Sequence, residues 1–163
     1  MDDTRRLRNA FGAFATGVTV VTTKGPDGTD LGRTANSFSS VSLSPPMVLW
    51  SLARSSSSLA AFRDADHFAV HVLTADQADL SARFAGKDPD KFAGLAVDRG
   101  VADVPLLRDC TARFECRTVH RYDGGDHIIF VAEVCDHHHA PAPPLIFHGG
   151  AYGGLAPIGD AGG

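Results

Sequence analysis

The chain alternates between short apolar runs and clusters of glycine, proline, aspartate and serine, which is typical of short strands joined by turns. Residues 18–23 are valine or threonine throughout, and such a β-branched run predicts a strand that is buried on both faces. Residues 24–30 contain Pro-Asp-Gly and predict a turn, after which the chain returns through Leu31 as a second strand. A hairpin is therefore expected early in the chain.

Apolar or alternating runs predict four further strands. They lie at residues 47–52, 66–73, 113–118 and 127–134. Residues 122–125 predict a hairpin turn before the last of these strands. Because residues 127–134 are apolar on both faces, they suit a barrel wall that is covered by a second subunit.

Helical patterns are few and short. The clearest predicts a helix over residues 5–15 that is capped by Thr4, with Leu7, Phe11 and Phe14 on one apolar stripe. We expect this stripe to face the core. Three further segments predict short helices or a single helical turn, namely residues 56–62, 74–86 and 87–92.

These elements predict a mainly β fold with short helices, of the α+β class, built around a small barrel. Residues 98–109 carry few periodic signals and are expected to be a loop. The length of 163 residues predicts a single domain over residues 1–163, in which residues 154–163 form a loose tail.

Composition excludes several classes of partner. The net charge of −4 argues against binding to nucleic acid or to an anionic membrane surface, because neither would be attracted by the overall field. No apolar run approaches the roughly 20 residues that span a bilayer, and no charged-then-apolar leader opens the sequence. We therefore expect a cytoplasmic protein without a membrane partner.

The polar stretch over residues 32–46 is the most informative part of the sequence. It begins as a strand, continues through small hydroxyl and amide residues, and stops at Pro45 and Pro46, which lack a backbone N–H. Arg54 follows the next strand and stands beside a run of serines, which is a composition suited to a phosphate. These features predict a phosphate-bearing ligand along a strand edge.

Three segments together resemble the flavin reductase-like family. They are Phe14-Ala-Thr-Gly-Val-Thr-Val-Val-Thr-Thr23, the stretch over residues 32–46, and Gly125-Asp126-His127. The resemblance covers roughly residues 5–153. It implies a split β-barrel of the FMN-binding type, a homodimer that holds FMN or FAD at its interface, and NADH or NADPH as hydride donor. It also implies that reduced flavin passes to a separate monooxygenase.

The resemblance implies a role for each residue that matches the family's motifs. Those implied at the flavin ring and ribityl chain are Thr34, Ala35, Asn36, Ser37, Ser51 and Leu52. Those implied at the phosphate end are Arg54, Ser55 and Ser57. Those in later cofactor-contacting segments are Arg83, Phe84, Ala85 and Tyr152.

The histidine of the Gly-Asp-His element is the candidate catalytic residue. The resemblance implies that His127 positions the nicotinamide. Asp126 could orient the imidazole or cap the turn, and both roles remain open. The implied chemistry is hydride transfer from a reduced nicotinamide to a flavin, for which the cofactors supply the redox chemistry and the protein supplies geometry.

Other candidate chemistry is weaker. The run His137-His138-His139 could suggest a metal, but consecutive strand residues point to opposite faces, so no metal site is expected. Cys110, Cys116 and Cys135 have no CxxC spacing and are expected to be reduced thiols. Two alternative functions remain: a flavin-storage module without turnover, and an FMN oxidase of the pyridoxamine-phosphate type.

Overall fold

Short strands dominate the structure, a computed structural model that describes residues 3–159. The strands of this range are β1 (Thr16–Gly17), β2 (Thr19–Lys24), β3 (Asp30–Ala35), β4 (Ser39–Leu43), β5 (Pro46–Ala53), β6 (His67–Val72), β7 (Val97–Arg99), β8 (Pro105–Leu107), β9 (Ala112–Gly124), β10 (His127–His139), β11 (Ile146–His148) and β12 (Ala151–Gly153). Its helices are α1 (Asp3–Gly12), α2 (Leu59–Asp64), α3 (Ala78–Ala85) and a 3₁₀ turn at Val101–Asp103. The predicted class, mainly β with short helices, is confirmed.

Seven strands form the main sheet, in the order β3-β2-β6-β9-β10-β5-β4, and every neighbouring pair is antiparallel. The long β9–β10 hairpin lies in the middle of this order. Two small sheets, β1-β11-β12 and β7-β8, accompany it. The outermost strands β3 and β4 do not pair with each other, so the main sheet is not a closed barrel.

Strand β2 is buried on both faces, which confirms the prediction from its β-branched sequence. Val21 packs into an apolar cluster with Trp50, whereas Val20 packs into a second cluster with Phe84. Successive side chains of a strand point to opposite faces, so one strand serves two cores. The threonines of β2 are buried as well, because each bonds a backbone carbonyl: Thr19 to Ala35, Thr22 to Pro105 and Thr23 to His67.

The larger cluster is centred on Trp50, which is fully buried. Its indole stacks on Phe130 at a centroid distance of 5.2 Å and meets Phe62 and Phe68 edge-on at 5.0 and 5.9 Å. These rings come from β5, β10, α2 and β6. Aromatic packing thus fixes β5 and β10, the two strands whose ends approach the candidate site.

His71 joins three strands inside the protein. Its Nδ1–H donates to the Val20 carbonyl at 3.0 Å, and its Nε2 accepts the Leu107 N–H at 3.1 Å. Because the Leu107 amide can only donate, the imidazole is neutral and protonated on Nδ1. Burial lowers the pKa of His71 to about 4, from an ordinary value of 6.5.

The apolar stripe of the first helix does not face the core, so that prediction is wrong. Helix α1 begins at Asp3, which places Thr4 inside it, and it contributes no buried residue. Leu7, Phe11 and Phe14 are 54%, 70% and 79% exposed. Helical spacing determines which residues share a face, but it does not determine what that face meets.

Several element boundaries also differ from the predictions. The loop expected at residues 98–109 contains β8, the 3₁₀ turn and the end of β7, because strands of three residues are too short for a periodic signal. Residues 87–92 form no helix, and α2 and α3 begin three or four residues late. The β9–β10 turn lies at Gly125 and Asp126.

The C-terminal tail predicted over residues 154–163 is described only in part. Residues 154–159 have no regular secondary structure, and residues 160–163 lie outside the described range. Within residues 3–159, none of the helices combines the length and apolar character that crossing a membrane requires.

The buried His71 predicts a pH-dependent stability. Its native pKa of about 4 lies below its ordinary value of 6.5, so protons bind the unfolded chain more readily. The contribution of His71 to the free energy of unfolding is complete above pH 6.5. This contribution, about 3 kcal/mol in total, is lost as the pH falls towards 4. Urea unfolding at pH 7 and at pH 4.5 measures this loss.

The matched variant is His71→Gln, which cannot titrate. It is expected to be less stable than the natural protein at pH 7, because buried hydrogen bonds are disturbed, yet to lose less stability on acidification. The exposed His139→Gln is the control and should keep the natural pH dependence. An equal loss in the natural protein and in His71→Gln would contradict the assignment.

Candidate functional site

A cleft of about 950 Å³ opens where the ends of β3 and β5 face the segment that follows α3. Many residues singled out from the sequence line it: Thr34, Ala35, Asn36, Ser37, Ser51, Leu52, Ser55, Ser57, Ala85 and His127. They come from four separate parts of the chain. The fold therefore brings most of the predicted site together in one place.

Residues 34–37 form one wall of the cleft, which is called the Thr34–Ser37 wall below. Hydroxyl groups within this wall hold the backbone in position. Thr34 donates to the Ser81 carbonyl at 2.6 Å, which ties β3 to α3. The Ser37 hydroxyl accepts the Ser51 N–H at 2.9 Å and lies 3.1 Å from the Ser51 carbonyl, which ties the wall to β5. Asn36 between them is exposed and lines the cleft. The polar residues of this wall thus hold its backbone in place, and they also line the cleft.

Arg33 supplies a cation that was not recognised from the sequence. Its Nε donates to the Ser58 hydroxyl at 3.1 Å, and an Nη donates to the Ser57 hydroxyl at 2.7 Å. All three residues line the cleft. A guanidinium beside hydroxyl groups is a donor set suited to a phosphate. No local signal identified Arg33, because it lies 24 residues before Ser57 in the chain.

Arg54, predicted at the phosphate end, lies elsewhere. Its Nε donates to the Gly125 carbonyl at 3.0 Å, and its Nη forms an ion pair with Asp123. It does not line the cleft. The geometry therefore gives Arg33, rather than Arg54, the position from which a phosphate in the cleft could be bound.

Three other predicted residues support the cleft without lining it. Arg83 donates to the carbonyls of Lys91 and Ala93 and so holds the segment after α3. Phe84 is fully buried, and a Cβ on Gly32 would come within 2.5 Å of its ring, so the glycine allows β3 to pack there. The Tyr152 hydroxyl lies 2.6 Å from that of Ser81. Their direct contact with a cofactor remains a prediction.

The cleft favours an anion. Arg33, Lys87 and Lys91 line it, together with Asp30 and Asp88. The pKa of Asp30 is lowered chiefly by its hydrogen bond from Arg99, and Lys24 also contacts it, so its charge is compensated. Lys91 donates to the Phe84 carbonyl at 2.9 Å, and burial lowers its pKa to about 8.

His127, the first residue of β10, also lines the cleft. Its Nδ1 lies 2.7 Å from the Asp126 carboxylate, and this hydrogen bond lowers the pKa of Asp126. Of the two roles left open for Asp126, the contact favours orientation of the imidazole. The side chain of His127 is 44% exposed and is therefore accessible to a ligand that enters from solvent.

Other candidate chemistry is not assembled in the described residues. His137, His138 and His139 lie exposed on β10. No group of three histidine, cysteine, aspartate or glutamate side chains within residues 3–159 could hold a metal ion. The three cysteines are free thiols, of which Cys110 and Cys116 are buried and Cys135 is exposed.

The chain is similar to proteins named as flavin reductases or as reductase components. A family model described as flavin reductase like domain matches residues 11–156. FMN reductase (NADH) SmoA of Agrobacterium fabrum is 51% identical over 152 residues, which cover 93% of this chain and 86% of that protein. The reductase component of the flavin-dependent trigonelline monooxygenase of Acinetobacter baylyi is 46% identical over 148 residues, covering 91% of this chain but only 48% of that relative.

The solved structures agree with the sequence relatives. NADH:FAD oxidoreductase SgcE6 from Streptomyces globisporus, in complex with NAD and FAD fragments, superposes with a TM-score of 0.90 at 39% identity. The match covers 97% of this chain and 96% of that one, which confirms the predicted split-barrel type of fold. Because this family model matches residues 11–156, which is most of its length, the chain belongs to the flavin reductase-like domain family.

Proposed function

We propose that the protein is a flavin reductase that transfers a hydride from NADH to FMN or FAD in the cleft beside β3. The observation that carries this proposal is the convergence of Arg33, the Thr34–Ser37 wall and His127 on one cleft. The names of the relatives support NADH as donor and leave either flavin possible. NADPH is a less favoured donor, because neither of these two names mentions it.

The phosphate end of the proposed flavin site is formed by Arg33 with Ser57 and Ser58. The guanidinium already donates to both hydroxyls, so it is held in place before a ligand binds. Ser55 lies in the same cleft wall. A fixed guanidinium binds an anion with a smaller loss of side-chain entropy than a mobile one.

The ring end is formed by the Thr34–Ser37 wall with Ser51 and Leu52. The exposed Asn36 amide offers both a donor and an acceptor, which suits the mixed edge of a flavin ring. Leu52, an apolar side chain that is mostly buried in the core, also lines the cleft from β5. A flavin bound there would accept the hydride, because the cofactors supply the redox chemistry.

His127 is proposed to position the nicotinamide next to that ring. Asp126 orients its imidazole through a 2.7 Å hydrogen bond, and the side chain of His127, which is 44% exposed, lines the cleft. Alignment of the two reacting rings is the contribution expected from the protein, since hydride transfer needs no activated nucleophile.

The proposed assembly is a homodimer that supplies reduced flavin to a monooxygenase. The exposed Leu7 and Phe11 on α1, and the exposed Phe14 just after it, support the homodimer, because large apolar side chains exposed near one another often mark an interface. The monooxygenase partner is supported by the relative named as the reductase component of such an enzyme.

Steady-state turnover tests the function. We expect NADH oxidation to rise with added FMN or FAD and to be faster than oxidation of NADPH. Flavin that binds without NADH turnover would point to the storage module, and turnover with a small amine instead of NADH would point to the oxidase. Either result would overturn the proposal.

Removal of the Arg33 guanidinium tests the phosphate end. Arg33→Ala is expected to weaken FMN binding roughly tenfold or more and to leave riboflavin binding nearly unchanged, because riboflavin lacks the phosphate. Fluorescence titration measures both affinities. Arg63→Ala, which removes an exposed arginine paired with Asp64, is the control. An equal loss for both flavins would place Arg33 away from the phosphate.

Removal of the His127 imidazole tests the nicotinamide end. We expect His127→Ala to raise the KM for NADH roughly tenfold while the Kd for flavin changes less than about twofold. Steady-state kinetics and flavin titration measure the two quantities. An unchanged dependence on NADH would remove His127 from the site.

Substitution on α1 tests the proposed dimer. Phe11→Glu is expected to shift sedimentation from dimer to monomer, because it places a charge in the apolar stripe. Asn9→Glu on the opposite side of the same helix is the control and should remain dimeric. A natural protein that sediments as a monomer and still turns over would refute the dimer.

A further inference from the structure

Arg54 connects the end of β5 to the tip of the β9–β10 hairpin. Its backbone N–H donates to the Asp126 carbonyl at 2.8 Å, and its Nε donates to the Gly125 carbonyl at 3.0 Å. Its Nη forms an ion pair with Asp123. One residue thus contacts three of the residues that immediately precede His127.

The charged side chains at the hairpin tip are largely exposed. The side chains of Asp123 and Asp126 are 89% and 94% exposed, and Gly125 has a positive φ of 69°. His127 is the first residue of β10, opposite Gly124 on β9 and Ala53 on β5. Ladder ends open more readily than ladder centres, so contacts from Arg54 decide how firmly the tip is held.

The same strand end carries one wall of the cleft. Ser51 and Leu52 line the cleft, and Arg54 follows them directly after Ala53. A contact from Arg54 to the hairpin therefore links the wall proposed for the flavin ring to the histidine proposed for the nicotinamide.

We propose that Arg54 is a positioning residue, which sets the place of His127 relative to the end of β5 and so controls how the nicotinamide is aligned. This inference rests on the proposed function. Arg54 does not itself line the cleft, and it acts through His127.

The contacts favour arginine over lysine at this position. The guanidinium reaches a carbonyl and a carboxylate at once, whereas an ammonium at the same site is a single point charge. The ion pair is largely exposed, so its loss should have little effect on global stability. Loss of the ion pair is instead expected to reduce the local order of the hairpin tip.

Kinetics of four variants test the proposal. We expect Arg54→Ala to raise the KM for NADH roughly tenfold and to change the flavin Kd less than about twofold. Arg54→Lys and Asp123→Asn should have intermediate effects, because each keeps part of the contact. Arg117→Ala, which removes an exposed ion pair with Glu133 between the two strands of the same hairpin, is the control and should match the natural protein.

A double-mutant cycle separates action through His127 from a general effect. In a His127→Ala background, Arg54→Ala is expected to add less than about twofold to the KM for NADH. Full additivity would overturn the inference. If the natural protein itself does not turn over NADH with flavin, the proposed function fails and the inference fails with it. If the natural protein turns over and Arg54→Ala behaves like it, only the inference fails.

Hydrogen exchange of the protein without ligands gives an independent readout. Arg54→Ala is expected to speed exchange of the backbone amides of residues 123–128 and to leave the β2–β6 amides unchanged. Protection of the tip equal to that of the natural protein would overturn the inference, and so would faster exchange across the whole sheet.

Discussion

The burial of β2 on both faces is the constraint on which the rest of the structure depends. Val20 and Val21 point into different clusters, so the two cores share one strand. Its threonines can be buried because their hydroxyls bond backbone carbonyls of neighbouring segments. The neighbouring strand β3 is fixed by this pairing, and its outer edge is left to form the cleft.

The candidate site follows from that arrangement. Hydroxyls of Thr34 and Ser37 hold the wall to α3 and β5, and the Arg33 guanidinium is held by two serines after β5. Ion pairs also set the charge of the cleft. The negative charge of Asp30 is compensated by Arg99 and Lys24. Arg33, Lys87 and Lys91 add positive charge to the lining. The fold thus brings the Arg33 guanidinium and the His127 imidazole to one cleft.

Sequence reasoning succeeded where the signal was local or carried by a motif. The β-branched run of β2, the early hairpin and the Thr34–Ser37 wall were all accessible in this way. It did not reach contacts that are tertiary. Arg54 stands beside serines in the sequence but turns to the Gly125 hairpin, and Arg33 reaches those serines from another strand. The stripe that includes Phe11 was assigned to the core because spacing cannot distinguish the core from an outer surface.

The central claim is that the cleft aligns a nicotinamide with a flavin for direct hydride transfer. The most direct measurement is anaerobic, single-turnover reduction of FMN or FAD by NADH that is deuterated on one or the other face of C4. The account predicts rapid flavin bleaching that is slowed by deuterium on one face only, because the bound rings are held in one orientation. Flavin that binds to the protein but is not reduced by NADH would contradict it.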